Sequence, residues 1–138
     1  MSSIDDTLFE DGTGHAVDLF ESIEEEGMPV VVELLTAPES EWDMGTAGWG
    51  VGQLLAVEVL AAAAGKPSQS GECHYIREWG AQNPAELDSA VVEAMLGVID
   101  RFMAKLQSNP EVFDLDESHV GAVVRVGNLM RQRVAGLM

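Results

Sequence analysis

Apolar residues recur at every third or fourth position along most of the chain, a spacing that predicts amphipathic α-helices. The first such stretch covers residues 15–26. Its apolar positions are Ala16, Leu19, Phe20 and Ile23. Acidic residues occupy its other faces, and Thr13 and Gly27 flank it as capping and terminating residues. We therefore predict a helix with one apolar and one acidic face.

A second, short helix is predicted from Pro29 to about Thr36, because proline suits the first turn of a helix. The run Val30-Val31-Val32 also fits a strand, but the apolar run continues beyond it and no partner strand is evident. Residues 38–52 follow, with two tryptophans and four glycines. Glycine is costly to order, so this stretch is predicted to be a loop.

The next two helices are predicted over residues 53–64 and 73–82, joined by a polar linker. The first is almost entirely apolar, which places it at the centre of the fold, and Gly65 ends it. The second is expected to point Tyr75, Ile76 and Trp79 inward. Asn83-Pro84 closes it, because a residue before proline avoids the helical region.

The longest helix is predicted over residues 85–107 and a last one from Ser118, its predicted cap, onward. The apolar stripe of the longest helix is Leu87, Val91, Met95, Val98 or Ile99, Phe102 and Leu106. Between the two helices, Asn109 and Pro110 predict a cap and one helical turn that reaches Leu115. The inward positions of the last helix are Val120, Val123, Gly127, Met130, Val134 and Leu137. Its three arginines suit the negative end of the helix dipole.

No alternating stretch is long enough to indicate a sheet. The predicted fold is all-α, a single domain of about five to seven helices with one loop rich in glycine and tryptophan. Residues 1–12 are expected to be flexible. The chain length of 138 residues and a hydrophobic content of 46% agree with one domain that buries a core.

Charge is distributed very unevenly. The chain has 24 acidic and 7 basic residues, a net charge of −17, and residues 1–65 contain 14 of the acids and neither lysine nor arginine. This balance argues against binding nucleic acid or an anionic membrane, since both require clustered cations. It fits either a solubilising surface or a face that meets a basic partner. The asymmetry favours the second interpretation, because solubility would be served equally well by both halves.

The start of the chain and its apolar runs indicate a soluble, cytoplasmic protein. The first residues are acidic rather than basic, unlike a secretory signal. The longest apolar run, residues 54–64, spans 11 residues and is interrupted by Glu58, whereas a membrane-spanning helix needs about 20. A single cysteine, Cys73, excludes an intramolecular disulfide.

Candidate chemistry is sparse. His74 and Glu78 are four residues apart and share a helix face, which supplies two metal ligands at most. The sequence Asp114-Leu115-Asp116-Glu117 resembles part of a calcium loop but lacks its glycine and its final glutamate. No serine lies in a glycine-flanked nucleophile turn. We expect no catalytic residue, no metal and no cofactor.

Each of the two tryptophans in the predicted loop could be an anchor for a partner or a core residue. A core position is favoured for Trp49. Both interpretations remain open for Trp42, whose neighbours Glu39, Glu41 and Asp43 would form an acidic rim around an exposed indole.

Several motifs together resemble a bacterial family of small acidic helical proteins known only as a domain of unknown function. The matching stretches, in family order, are Phe9-Glu10-Asp11, Ala16-Val17-Asp18-Leu19-Phe20, Ala61-Ala62-Ala63-Ala64-Gly65-Lys66-Pro67, Trp79 with Asn83-Pro84, and Asn109-Pro110-Glu111. The Gly-x-Trp-Gly motif with which members typically open is missing. The resemblance implies a helical fold and carries over no catalytic residue.

These features predict a binding protein that neutralises a basic protein partner, in the manner of an immunity protein against a bacterial toxin. The predicted contact residues are Asp18, Glu21, Glu24, Glu25, Glu39, Glu41, Trp42 and Asp43. The alternatives are a DNA-mimic inhibitor, a small metal-dependent enzyme using His74 and Glu78, and a subunit of a larger assembly. The protein itself is expected to be a monomer or a homodimer.

Overall fold

The computed structural model describes residues 8–9, 14–43, 49–69, 73–113 and 116–137, and it confirms the all-α fold. Its described residues form six α-helices and two short 3₁₀ turns. The helices are α1 (Gly14–Glu26), α2 (Met28–Leu35), α3 (Val51–Ala63), α4 (His74–Gln82), α5 (Ser89–Ser108) and α6 (Glu117–Ala135). The 3₁₀ turns are Glu39–Glu41 and Pro110–Phe113. The predicted cap Thr13 lies outside the described residues.

Helix α3 is the centre of the molecule. Every residue from Gly52 to Ala63 is buried, and α1, α2, α4 and α5 all pack against the helix. Its end follows the sequence expectation, because Gly65 has a positive φ of 92°. The Gly65 N–H donates to Ala62 O and the Lys66 N–H to Ala61 O, which satisfies the last carbonyls of the helix.

Helices α1 and α2 form a hairpin on α3. Gly27 joins them with a φ of 79°, and its N–H donates to Ile23 O at 2.7 Å, so this glycine ends α1 as predicted. The run of valines is helical rather than extended, with Val31 and Leu35 buried against the core. Phe20 and Ile23 fix the inner face of α1.

Helix α4 lies very close to α3 because one of its residues has no side chain. A Cβ on Gly80 would lie 2.6 Å from the carbonyl carbon and from the Cβ of Ala62, so alanine does not fit without movement of α3. Ile76 is buried, while Tyr75 and Trp79 are half-buried against the core. The inward positions predicted for this helix are therefore confirmed.

The start of α5 was predicted wrongly. Residues 84–88 are not helical, and the helix begins at Ser89. The side chain of Asp88 accepts a hydrogen bond from Val91 N at 2.9 Å, which makes it the cap. The Ala85 N–H donates to Ala63 O at 2.9 Å, a tertiary bond that fixes this segment beside the end of α3.

Helix α6 packs on α5 and is joined to α3 by a buried ion pair. Gly127, Met130 and Val134 are its buried residues, as the sequence pattern predicts. Its cap position is Asp116 rather than Ser118, which lies inside the first turn. The remaining unexpected feature is Arg133, whose guanidinium contacts the fully buried carboxylate of Glu58.

Candidate protein-binding surface

The outward face of α1 is a strip of carboxylates. Asp18, Glu21, Glu24 and Glu25 are all exposed; Asp18, Glu21 and Glu25 lie opposite the buried residues of the helix, and Glu24 lies on its flank. Asp18, Glu21 and Glu25 follow one another at helical spacing, which places them along a single face. We name these four residues the α1 acidic strip. All four are exposed, as the sequence pattern predicts, and their role as partner contacts stays a prediction.

The strip is held on a rigid base. Phe20 packs edge-on against Tyr75 of α4, with ring centroids 4.7 Å apart, and Ile23 is completely buried. Side chains from α2, α3 and α4 therefore surround the inner face of α1. A partner that contacts the carboxylates meets a preformed helix surface.

No lysine or arginine neutralises the strip from its own part of the chain, since the first basic residue is Lys66. None of its four carboxylates forms an ion pair within the described residues. Val17, which is 46% exposed, lies on the same side of α1 as Glu21 and Glu24. The strip thus combines uncompensated negative charge with a small apolar contact.

The other predicted acidic residues lie on a different element. Glu39, Glu41 and Asp43 are exposed at and just after the first 3₁₀ turn, which follows α2. Glu39 is 3.8 Å from Arg101 of α5, and both side chains are more than half exposed, so this pair is weak. The turn therefore adds a second acidic region on an element separate from α1.

Trp42 is not a surface residue, and its assignment to the partner-binding set is wrong. It is 0% exposed, and its indole Nε1–H donates to Ala37 O at 2.9 Å. Its own carbonyl accepts from Gly50 N at 2.8 Å. Trp42 therefore closes the loop onto the core, and no acidic rim surrounds an exposed indole.

Trp49 packs against the core, as predicted from the sequence. Its ring lies 4.8 Å from that of Trp42, with Phe102 and Phe113 on its other sides. The Lys105 ammonium lies 5.5 Å from its ring centroid, a cation–π distance. The aromatic residues of this region thus form one structural cluster, and they offer a partner no protruding anchor.

The weaker chemical candidates do not converge on a site. Among the described residues, no three His, Cys, Asp or Glu side chains lie close enough to hold a metal. His74 and Glu78 are exposed, and Cys73 is buried. Asp114 and Leu115 of the calcium-loop fragment lie outside the described residues.

Asp116, Ser118 and His119 form a small cluster that was not predicted from the sequence. Asp116 Oδ1 accepts from Ser118 Oγ at 2.6 Å and lies 2.6 Å from His119 Nδ1. The Ser118 hydrogen bond, followed by that of His119, lowers the pKa of Asp116. Because the serine hydroxyl donates to the carboxylate and all three residues are exposed, the cluster lies at the start of α6 without the geometry of a catalytic triad.

Within the part of the chain that the structure describes, no helix is long and apolar enough to cross a lipid bilayer. Comparison with known protein families, with functionally characterised proteins and with solved structures found no match to the chain. The motif resemblance to a family of small acidic helical proteins therefore stays a prediction from the sequence.

Proposed function

We propose that this protein binds and neutralises a basic protein partner through the α1 acidic strip, as an immunity protein does against a bacterial toxin. The observation that carries the proposal is the strip itself: four exposed carboxylates on α1, three of them along one helix face, without an ion-pair partner among the described residues. Such a surface costs stability through self-repulsion, and a cationic partner relieves that cost.

The chemistry of the strip defines what it would bind. Arginine side chains of the partner would make paired hydrogen bonds to the carboxylates, and lysines would add unpaired charge contacts. Long-range attraction would speed association and make it sensitive to salt. Glu41 and Asp43, exposed after α2, would extend the negative potential without sharing the α1 face.

The test begins with identification of the partner. The chain is used as bait at low salt in extracts of its own source, and captured proteins rich in lysine and arginine are produced separately. Binding is then titrated at about 50 and 500 mM NaCl, and the partner's effect on cell growth is measured with and without the chain. We expect at least tenfold weaker binding at the higher salt and relief of the growth defect.

Two variants that remove the same number of negative charges test whether binding depends on the strip or on the total charge. D18N/E21Q/E24Q/E25Q removes the strip, and E78Q/E86Q/E93Q/E111Q removes the same charge from other exposed positions. The proposal requires the first variant to lose binding and protection while the second keeps most of both. Equal binding by both variants, or affinity that does not change with salt, contradicts it.

A further inference from the structure

The outward face of α6 differs in charge from the rest of the molecule. From residue 118 to the end of the sequence there is no carboxylate side chain, and there are three arginines. Arg131 and Arg133 are held by Asp100 and Glu58. Arg125 is exposed and forms no ion pair within the described residues. After Glu117, its first residue, α6 therefore adds no negative charge to the approach of a second strongly acidic copy.

Gly121 is the fifth residue of α6, and no contact inside the described chain requires a glycine there. It is exposed, and a Cβ built on it meets no atom within 4 Å, counted over the described residues. Gly127, in contrast, is needed, because its Cβ would collide with the Met103 side chain. Glycine weakens a helix relative to alanine. Gly97 of α5 also meets no atom but is only partly exposed, so Gly121 is the one of these two glycines that a second helix can approach more closely.

We propose that α6 packs antiparallel against α6 of a second copy of this chain, with the twofold axis at Gly121. Glu117 and Arg125 stand four residues before and four residues after Gly121, and both are exposed. This spacing places all three residues on one face. In an antiparallel pair centred on Gly121, Glu117 of each copy opposes Arg125 of the other, so the surface is self-complementary.

The same register covers apolar surface. Leu129, 46% exposed, stands two turns beyond Gly121 and so reaches past the first turn of the second copy's α6. Leu129 is one of the four large hydrophobic residues that are exposed in the described chain. The charge pairs therefore flank the close backbone contact, and Leu129 adds an apolar side chain farther out.

This pairing is independent of the proposed function. Helix α6 packs on α5, whereas α1 packs on α2 and α3, and no residue of the proposed α6 contact belongs to the α1 acidic strip. Loss of the dimer and loss of partner binding are thus separate outcomes.

The first test measures mass in solution by sedimentation equilibrium at about 150 mM NaCl over a range of protein concentrations. We expect the mass to rise toward twice the chain mass of 14.8 kDa. Arg125→Glu or Glu117→Arg creates two like-charge pairs, so each should raise the dimer dissociation constant at least tenfold. The double variant Arg125→Glu with Glu117→Arg restores opposite charges and should restore the dimer. Arg101→Glu makes the same charge change on α5 and should leave the dimer intact.

The second test is cross-linking, because Gly121 of each copy meets its own counterpart at the axis. Gly121→Cys should form a disulfide-linked dimer on mild oxidation. Asn128→Cys should not, since the two copies of that position lie about 21 Å apart along the helices. Cys73 is buried and present in both variants. A monomer at all concentrations, a double variant that fails to restore the dimer, or equal cross-linking at both positions overturns the proposal.

Discussion

Arg133 of α6 and Glu58 of α3 form a two-pronged ion pair across 75 residues of sequence. Nη1 donates to Oε1 at 2.8 Å, and Nη2 donates to Oε2 at 2.7 Å. The Glu58 side chain is 0% exposed and that of Arg133 is 11% exposed. Nη1 also donates to Lys66 O at 3.0 Å, so one guanidinium joins α6, the centre of α3 and the chain just after α3.

Removal of Arg133 alone should destabilise the protein severely. The Arg133→Ala variant leaves a carboxylate buried in an apolar helix without its cation, which typically costs about 3–5 kcal/mol. We expect a loss of that size in the free energy of unfolding, measured by urea denaturation followed by circular dichroism. Because the free energy of unfolding of a small domain is only about 5–15 kcal/mol, the variant should reach its unfolding midpoint at modest urea concentrations.

Two further variants control this experiment. Arg131→Ala removes the exposed pair with Asp100 and should change the unfolding free energy little. Glu58→Leu combined with Arg133→Met replaces the buried pair with apolar side chains and should recover most of the lost stability. If the double variant is as unstable as Arg133→Ala, the cost comes from lost packing of the arginine rather than from an unpaired charge.

The close contact of α3 and α4 predicts opposite effects for two glycine substitutions. Gly80→Ala places a methyl group 2.6 Å from Ala62 backbone and side-chain atoms, so we expect a loss of about 1–3 kcal/mol in the free energy of unfolding. Gly97→Ala places the same group in open space on α5 and should gain up to about 1 kcal/mol. Thermal or urea unfolding compares the two. A gain in both variants would mean that α4 moves away from α3 without cost.

Helix positions were largely predictable from the sequence, because periodic apolar residues and terminating glycines act locally. The ends of α1 at Gly27 and of α3 at Gly65 are examples. The start of α5 was not predictable from the sequence, because residues 85–87 have ordinary helix propensity. Their non-helical conformation depends on the Asp88 cap and on the bond from Ala85 N to Ala63 O, a partner distant in sequence.

Exposure of the α1 acidic strip was predictable as well, since burying four unpaired carboxylates is prohibitive. The position of Trp42 was not. A tryptophan beside acidic residues fits an anchor and a core residue equally, and the deciding acceptor is a backbone carbonyl, Ala37 O. An acid within apolar α3 signals a buried cation, but no local pattern says which of the 7 basic residues supplies it.

The Asp116 cluster predicts a measurable titration. Its pKa is lowered first by the Ser118 hydrogen bond and then by His119. A lowered folded-state pKa contributes stability above the unfolded pKa and loses it as pH falls through the folded value. Ser118→Ala should therefore raise the pKa of Asp116 toward its ordinary value, observed by carboxyl carbon NMR in the acid range. His119→Gln removes the hydrogen bond and charge of the imidazole and should also raise it. An unchanged value in Ser118→Ala would show that the serine hydrogen bond does not form.

Self-repulsion within the α1 acidic strip predicts how salt affects the folded protein. With a net charge of −17, the chain should gain stability as NaCl rises from about 10 to 200 mM, because the screening length falls from about 30 Å to less than 10 Å. The D18N/E21Q/E24Q/E25Q variant should be at least as stable as the native chain at low salt, and the difference should shrink as salt rises. Urea denaturation at a fixed protein concentration measures both effects. If the variant is less stable at low salt, these carboxylates stabilise the native fold, and the strip is then explained without a cationic partner.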